Sequence, residues 1–132
     1  MTKKSIVPEK MRSVVDKAGY LPGLLIDNLL VMSGQIGRDD QLRIPENPEQ
    51  QFQLCWDNLA WVLSEAGATF DNVIDITSYH VNMSQHMPLF RKIKDSRFPR
   101  ATCCWTCIGV SELAHPDLLV EIKCTAYLGE KE

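Results

Sequence analysis

Long apolar runs are missing from this chain; none approaches the roughly 18 residues of a membrane span, so no bilayer-crossing helix is expected. Long basic runs are missing too, and the formal net charge is -3. Composition therefore gives no electrostatic footprint for nucleic acid, and the scattered Lys and Arg residues read as solvated surface. Behind Met1-Thr2-Lys3-Lys4-Ser5 there is no apolar h-region, the mark of a secretory signal. The expectation is a soluble, cytoplasmic protein. The five cysteines are odd in number, which argues against a disulfide framework. Cys104 and Cys107 form a C-x-x-C, but inside a strand-like run, where residues three apart point to opposite faces. No second Cys/His pair with metal-ligand spacing follows. The cysteines read as buried small hydrophobes.

What is present is an ordinary globular composition, 45% hydrophobic and 23% charged over 132 residues. No repeat or linker interrupts it, so residues 1–132 read as one domain. Residues 1–19 are poorly patterned, apart from a short edge strand at Ile6-Val7 stopped by Pro8. Leu24-Leu25-Ile26 and Leu29 to Ser33 read as a hairpin turning at Asp27-Asn28. Ser33-Gly34-Gln35-Ile36-Gly37 closes it, and its two glycines suggest a bulge or a close backbone approach. A helix then starts clearly. Asn47 can cap it, Pro48 suits the first helical position, and Gln50 sits where a capping box needs it. Phe52, Trp56, Leu59 and Leu63 recur at helical spacing as a buried stripe, and Gly67 suits the exit. Val73 to Val81 reads as a strand with His80 near its end, a group that can serve acid–base chemistry or simply fill the core. A second helix runs from about Met83 to Ile93 or Lys94.

The last third carries the sharpest signal. Two β-rich runs, Thr102 to Leu113 and Leu118 to Leu128, flank a breaker at Pro116-Asp117 and read as a pair of strands joined by a loop, which would set Trp105 across the pair from Glu121. In the second run Val120, Ile122, Cys124 and Ala126 alternate with Leu119, Glu121, Lys123, Thr125 and Tyr127. Glu121 thus sits mid-strand between two apolar neighbours, where a carboxylate needs a partner or a solvated pocket. The order β, β, β, α, β, α, β, β predicts an α+β domain with two helices packed on one sheet face. The mixed residues of the other face, such as Thr77, Tyr79 and Lys123, suggest that it meets a partner subunit, with sites between subunits.

Several stretches resemble one family over nearly the whole chain. They are Asn28 to Gly37 with its Ser-Gly-Gln-Ile-Gly, the helix from Trp56 to Ala68, Val73 to Val81, Cys107 to Leu113, and Leu119-Val120-Glu121-Ile122. Together they are similar to the Rid, or YjgF, family of reactive-intermediate deaminases. The resemblance implies a chorismate-mutase-like mixed sheet and a homotrimer with three inter-subunit clefts. It implies hydrolysis of short-lived enamines and imines to 2-oxo compounds and ammonia, without metal or cofactor. Carried over position by position, Tyr20, Ser33, Gly34 and Cys107 match substrate-binding positions, and Glu121 matches the glutamate that positions water. Leu21-Pro22-Gly23 and the region of Arg91 depart from the family pattern. So does the position of the arginine that grips the substrate carboxylate. An ungapped alignment puts Trp105 there, which places the chain in a divergent, Trp-bearing branch. A gapped one would pair Arg100 with it, and Arg97 or Arg100 could supply the missing charge. An indole offers one N–H and no charge, and cannot replace a bidentate guanidinium. Two main readings follow, beside the ribonuclease activity attributed to some relatives, which the acidic balance and the lack of a basic stripe do not support. One is an imine deaminase using Glu121, with Tyr20, Ser33, Gly34, Arg100, Trp105 and Cys107 around the substrate. The other is a small-molecule-binding trimer that has lost turnover.

Overall fold

The computed structural model describes residues 2–129. Seven strands form one mixed sheet: β1 (Lys3–Ile6), β2 (Gly23–Ile26), β3 (Leu29–Met32), β4 (Gln35–Ile36), β5 (Val73–His80), β6 (Cys104–Gly109) and β7 (Val120–Tyr127). The order across the sheet is β1-β2-β3-β7-β5-β6, with β4 also paired to β7. The hairpin turns where the sequence predicts. Ile26 faces Leu29, and Asp27 takes the positive φ (51°) that a tight turn requires.

Helix α2 (Pro48–Glu65) follows its sequence signals closely. Asn47 Oδ1 accepts from the Gln50 N–H at 3.1 Å, Pro48 opens the helix, and Gly67 leaves it with φ 79°. Its apolar stripe is fully buried, and Trp56 packs among Phe70, Phe90 and Phe98 with ring centres about 6 Å apart. Helix α3 (Met83–Arg97) lies beside it. Arg97 ties the two helices together, donating to Gln53 O, Gln53 Oε1 and Asp57 Oδ1.

The fold is α+β with a mixed sheet, as expected, but it has three helices, not two. Arg12–Ala18 forms a short helix α1, entered through a 3-10 turn at Glu9–Met11 and ended by Gly19 at φ 78°. It buries none of its own residues, so no apolar stripe marks it in the sequence.

The last two strands also require correction. They are joined by a loop but do not pair. β5 lies between them, parallel to β6 and antiparallel to β7. A parallel pair needs a crossover, and α3 supplies it. Trp105 is therefore not across a strand pair from Glu121. It lies beside Ile76, on the face that α3 covers, whereas Glu121 lies beside Tyr79 on the opposite face.

The burial expected of the cysteines holds for Cys55 and Cys124 but fails for Cys104 and Cys107, which are exposed. β6 is the edge of the sheet, with fewer neighbours to cover it.

Candidate functional site

Ser33 and Gly34 interrupt the backbone between β3 and β4, both of which pair with β7. This break faces Glu121. Ser33 Oγ donates to Leu21 O at 2.6 Å, and its backbone N–H donates to Pro22 O at 2.9 Å. Two bonds thus fix the segment after Tyr20 against the end of β3. With its proton committed, the Ser33 hydroxyl keeps lone pairs to accept a bond from a ligand.

Gly34 serves by lacking a side chain. A Cβ there would collide with the Glu121 carboxylate and would stand 2.8 Å from its Cδ. The glycine therefore gives room to the carboxylate; its φ is not in the left-handed range. Gly34→Ala is expected to swing the flexible Glu121 side chain aside, because the far end of a side chain yields more cheaply than backbone. Turnover of an imine of the class that the Rid resemblance implies should fall about tenfold or more, through misplacement of the carboxylate. The urea midpoint should barely move. A loss of stability with unchanged specific activity would contradict this reading.

Tyr20, Ser33, Gly34 and Glu121 line a single cavity of about 610 Å³, whose far wall comes from α1 and from Asn58 and Trp61 on α2. Glu121 is half-buried, and burial raises its pKa above the ordinary 4.5, since removal from water disfavours the charged form. Asn58 holds the wall in place: its Nδ2 donates to Ile36 O at 2.8 Å and to Arg38 O at 2.9 Å. Gln51, 1% exposed, anchors the approach to β7. Its Oε1 accepts from Leu119 N–H at 2.7 Å, and its Nε2 donates to Asp117 O at 3.0 Å. Both amides interrupt the apolar stripe of α2, and that interruption was the available sequence signal for them.

Trp105, Cys107 and Arg100 do not join this cavity within one protomer. Trp105 stacks near Phe90, with ring centres 6.2 Å apart, and its Nε1–H donates to Ser78 Oγ at 2.9 Å. Ser78 Oγ in turn lies 2.7 Å from His80 Nε2. His80 is 1% exposed, and desolvation lowers its pKa to about 4, so the ring is neutral near pH 7. In its Nδ1–H tautomer, Nε2 accepts the Ser78 proton, completing a relay that runs from Trp105 through Ser78 to His80. His80 is thus a buried support for Trp105. Cys107 lies beside Ser78 on the exposed edge strand. The Arg100 side chain is 76% exposed, with its Nε 3.9 Å from an Asp95 oxygen.

Among the described residues, no group of three or more His, Cys, Asp and Glu side chains could hold a metal ion. No helix among them is long and apolar enough to cross a membrane.

The molecule is thus an α+β domain with a cavity of about 610 Å³ at a break in its sheet, where the half-buried Glu121 carboxylate forms part of the lining. The family model described as endoribonuclease L-PSP matches residues 11–128. The RutC family protein YjgH of Escherichia coli is 33% identical over 129 residues, covering 96% of each chain. The RutC family protein slr0709 of Synechocystis is 32% identical, covering 83% of this chain and 85% of its own. A solved structure of protein YJGH superimposes with a TM-score of 0.90 at 30% identity, covering 99% of this chain and 100% of that one. Rv2704 of Mycobacterium tuberculosis, described as a YjgF/YER057c/UK114 family member, shares the fold with a TM-score of 0.81 at 21% identity, covering 96% and 99%. The chain belongs to this endoribonuclease L-PSP, or YjgF/Rid, family.

Proposed function

We propose that the protein hydrolyses small imines and enamines to 2-oxo compounds and ammonia, in clefts completed between the subunits of a homotrimer. The observation that carries this reading is Glu121, a desolvated carboxylate for which Gly34 clears space, at the wall of a cavity sized for a small molecule. Imine hydrolysis requires a water delivered to one carbon and a proton moved. The Glu121 carboxylate accepts a proton from that water as its oxygen bonds to the imine carbon, and the same group can return the proton to the departing nitrogen. Ser33 and the backbone at Gly34 orient the substrate.

Self-association is supported by the uncovered sheet face, where Leu29, paired to Tyr127, and Ile108 stand 38%, 52% and 41% exposed. It is supported further by the separation of the two residue groups. A site that uses Trp105 and Cys107 together with Glu121 draws on both sheet faces, and so on two protomers. An RNA backbone is a poorer fit, because the net charge is -3 and only Lys10 and Arg38 among the cavity's lining residues are cations that could contact phosphates.

The test is direct. 2-Iminobutanoate and 2-aminoacrylate are generated in situ, and release of ammonia and 2-oxo acid is followed with and without the protein. Release should be faster with the protein, by a factor that scales with its concentration. Rates equal to the protein-free control would leave a binding protein in place of an enzyme.

A further inference from the structure

Three cations stand on the segment that leads into β6: Lys94, Arg97 and Arg100. Two already have anionic partners. Arg97 Nη2 lies 2.7 Å from Asp57 Oδ1, and Nη1 is engaged by Gln53. Arg100 is largely in solvent, facing Asp95. Lys94 differs from both. Its Nζ stands 4.6 Å from the centre of the Trp105 ring and 5.5 Å from that of Phe98, and the residue is only partly exposed. Among the described residues it forms no salt bridge and donates no hydrogen bond to a protein oxygen. Aromatic faces hold an ammonium in place without neutralising it, and the N–H donors turned away from the rings stay free for an anion.

Trp105 cannot bind an anion itself. It carries no charge, and its single N–H is already committed to Ser78 Oγ. The Trp105–Ser78–His80 relay fixes the ring that carries the ammonium. Lys94, one helical turn beyond Phe90, is thus held by its own helix and by the relay-locked ring.

We propose that Lys94 is the anion-binding residue of this site. Its ammonium, seated on Trp105, binds the carboxylate of a small 2-oxo or 2-imino acid whose apolar part lies against the exposed part of the indole. This deepens the proposed function and rests on it for the identity of the substrate. It also sets a specificity: a point charge on a four-carbon stem takes a carboxylate without the fork geometry of a guanidinium, so it tolerates a wider range of carboxylate positions.

Binding of 2-oxobutanoate, a non-reacting carboxylate, and of butanone, its uncharged counterpart, is measured on the full-length protein by titration calorimetry or ligand-observed NMR. Wild type is compared with Lys94→Met and Lys94→Arg. The Met variant is expected to weaken 2-oxobutanoate about tenfold or more while leaving butanone unchanged. The Arg variant should lose clearly less affinity than the Met variant, because the charge is kept although the head group changes shape. In the imine assay, Lys94→Met should raise KM more than it lowers kcat. Wild-type affinity for 2-oxobutanoate in the Met variant would overturn the proposal. Equal losses in Met and Arg variants, or no binding of 2-oxobutanoate by wild type at millimolar concentration, would overturn it too. A wild type that binds 2-oxobutanoate through Lys94 but never accelerates hydrolysis would sink the deaminase reading and leave Lys94 standing.

Discussion

Glu121→Gln is expected to lower the rate of 2-iminobutanoate hydrolysis by about a hundredfold or more, the scale of losing a positioned acid–base group. The amide is nearly isosteric, so KM should change little. The fold should not suffer, and the sign of the effect can be worked out. Burial raises the Glu121 pKa in the folded state above its ordinary 4.5. Keeping the ionised carboxylate in that setting therefore costs stability at neutral pH. The cost is fully present above the raised pKa, shrinks as pH falls through it, and is gone below 4.5. The Gln variant carries no such cost, so near pH 7 it should unfold at an equal or slightly higher urea concentration than wild type. The same shift governs the rate. A carboxylate acts as a base only when ionised, so the acid limb of wild-type kcat/KM should have its midpoint above 4.5 and should be absent from the residual rate of Glu121→Gln. A Gln variant with full activity would remove Glu121 from the chemistry.

Gly37→Ala should have the largest effect on stability. A Cβ at Gly37 would collide with the Gln51 carbonyl oxygen and stand 2.9 Å from its carbonyl carbon. Here the neighbour is helix backbone, which cannot turn aside as the Glu121 side chain can at Gly34. The added methyl must push β4 away from α2. The disturbance spreads along known connections. Asn58 holds Ile36 O, Gln51 holds Leu119 N–H and Asp117 O, and Ile36 pairs with Glu121. A loss of about 3 kcal/mol is expected, at the upper end for overpacking a tight site. Urea denaturation followed by circular dichroism gives the number. Activity should fall as well, because the strand that carries Glu121 shifts. A variant within about 0.5 kcal/mol of wild type, the range of an ordinary surface change, would contradict the close-approach account.

The two glycines show how far the sequence could be read. Ser33-Gly34-Gln35-Ile36-Gly37 predicts a bulge or a close approach, and both glycines turn out to be close approaches. Their neighbours, a carboxylate in one case and a helix carbonyl in the other, lie 87 and 14 residues away and are invisible to local pattern. Helix α2 was legible because its signals are local: a cap, a proline, an apolar stripe and an exit glycine. Helix α1 was not, because a helix that buries nothing leaves no stripe. The strands β6 and β7 were legible as strands. Their separation by β5 was not, because insertion of a parallel neighbour is decided by the packing of α3. That one non-local fact moves Trp105 to the face opposite Glu121. The cavity group of Tyr20, Ser33, Gly34 and Glu121 came from the family resemblance joined to strand alternation. Lys94 and the Ser78–His80 support came only from the folded arrangement.

We propose a shared site, to which one subunit supplies Glu121, Ser33 and Gly34 and a neighbour supplies Trp105. Mixed trimers test it most directly. Glu121→Gln and Trp105→Ala proteins, each checked for folding and trimer mass, are assayed alone and after joint unfolding and refolding in equal amounts. Each alone should hydrolyse 2-iminobutanoate poorly. If sites form between subunits, random mixing leaves about one site in four with both wild-type residues, and the mixture should regain roughly a quarter of wild-type activity. A mixture that stays at the average of its two parents would contradict the account, since it would mean that both residues act within one subunit.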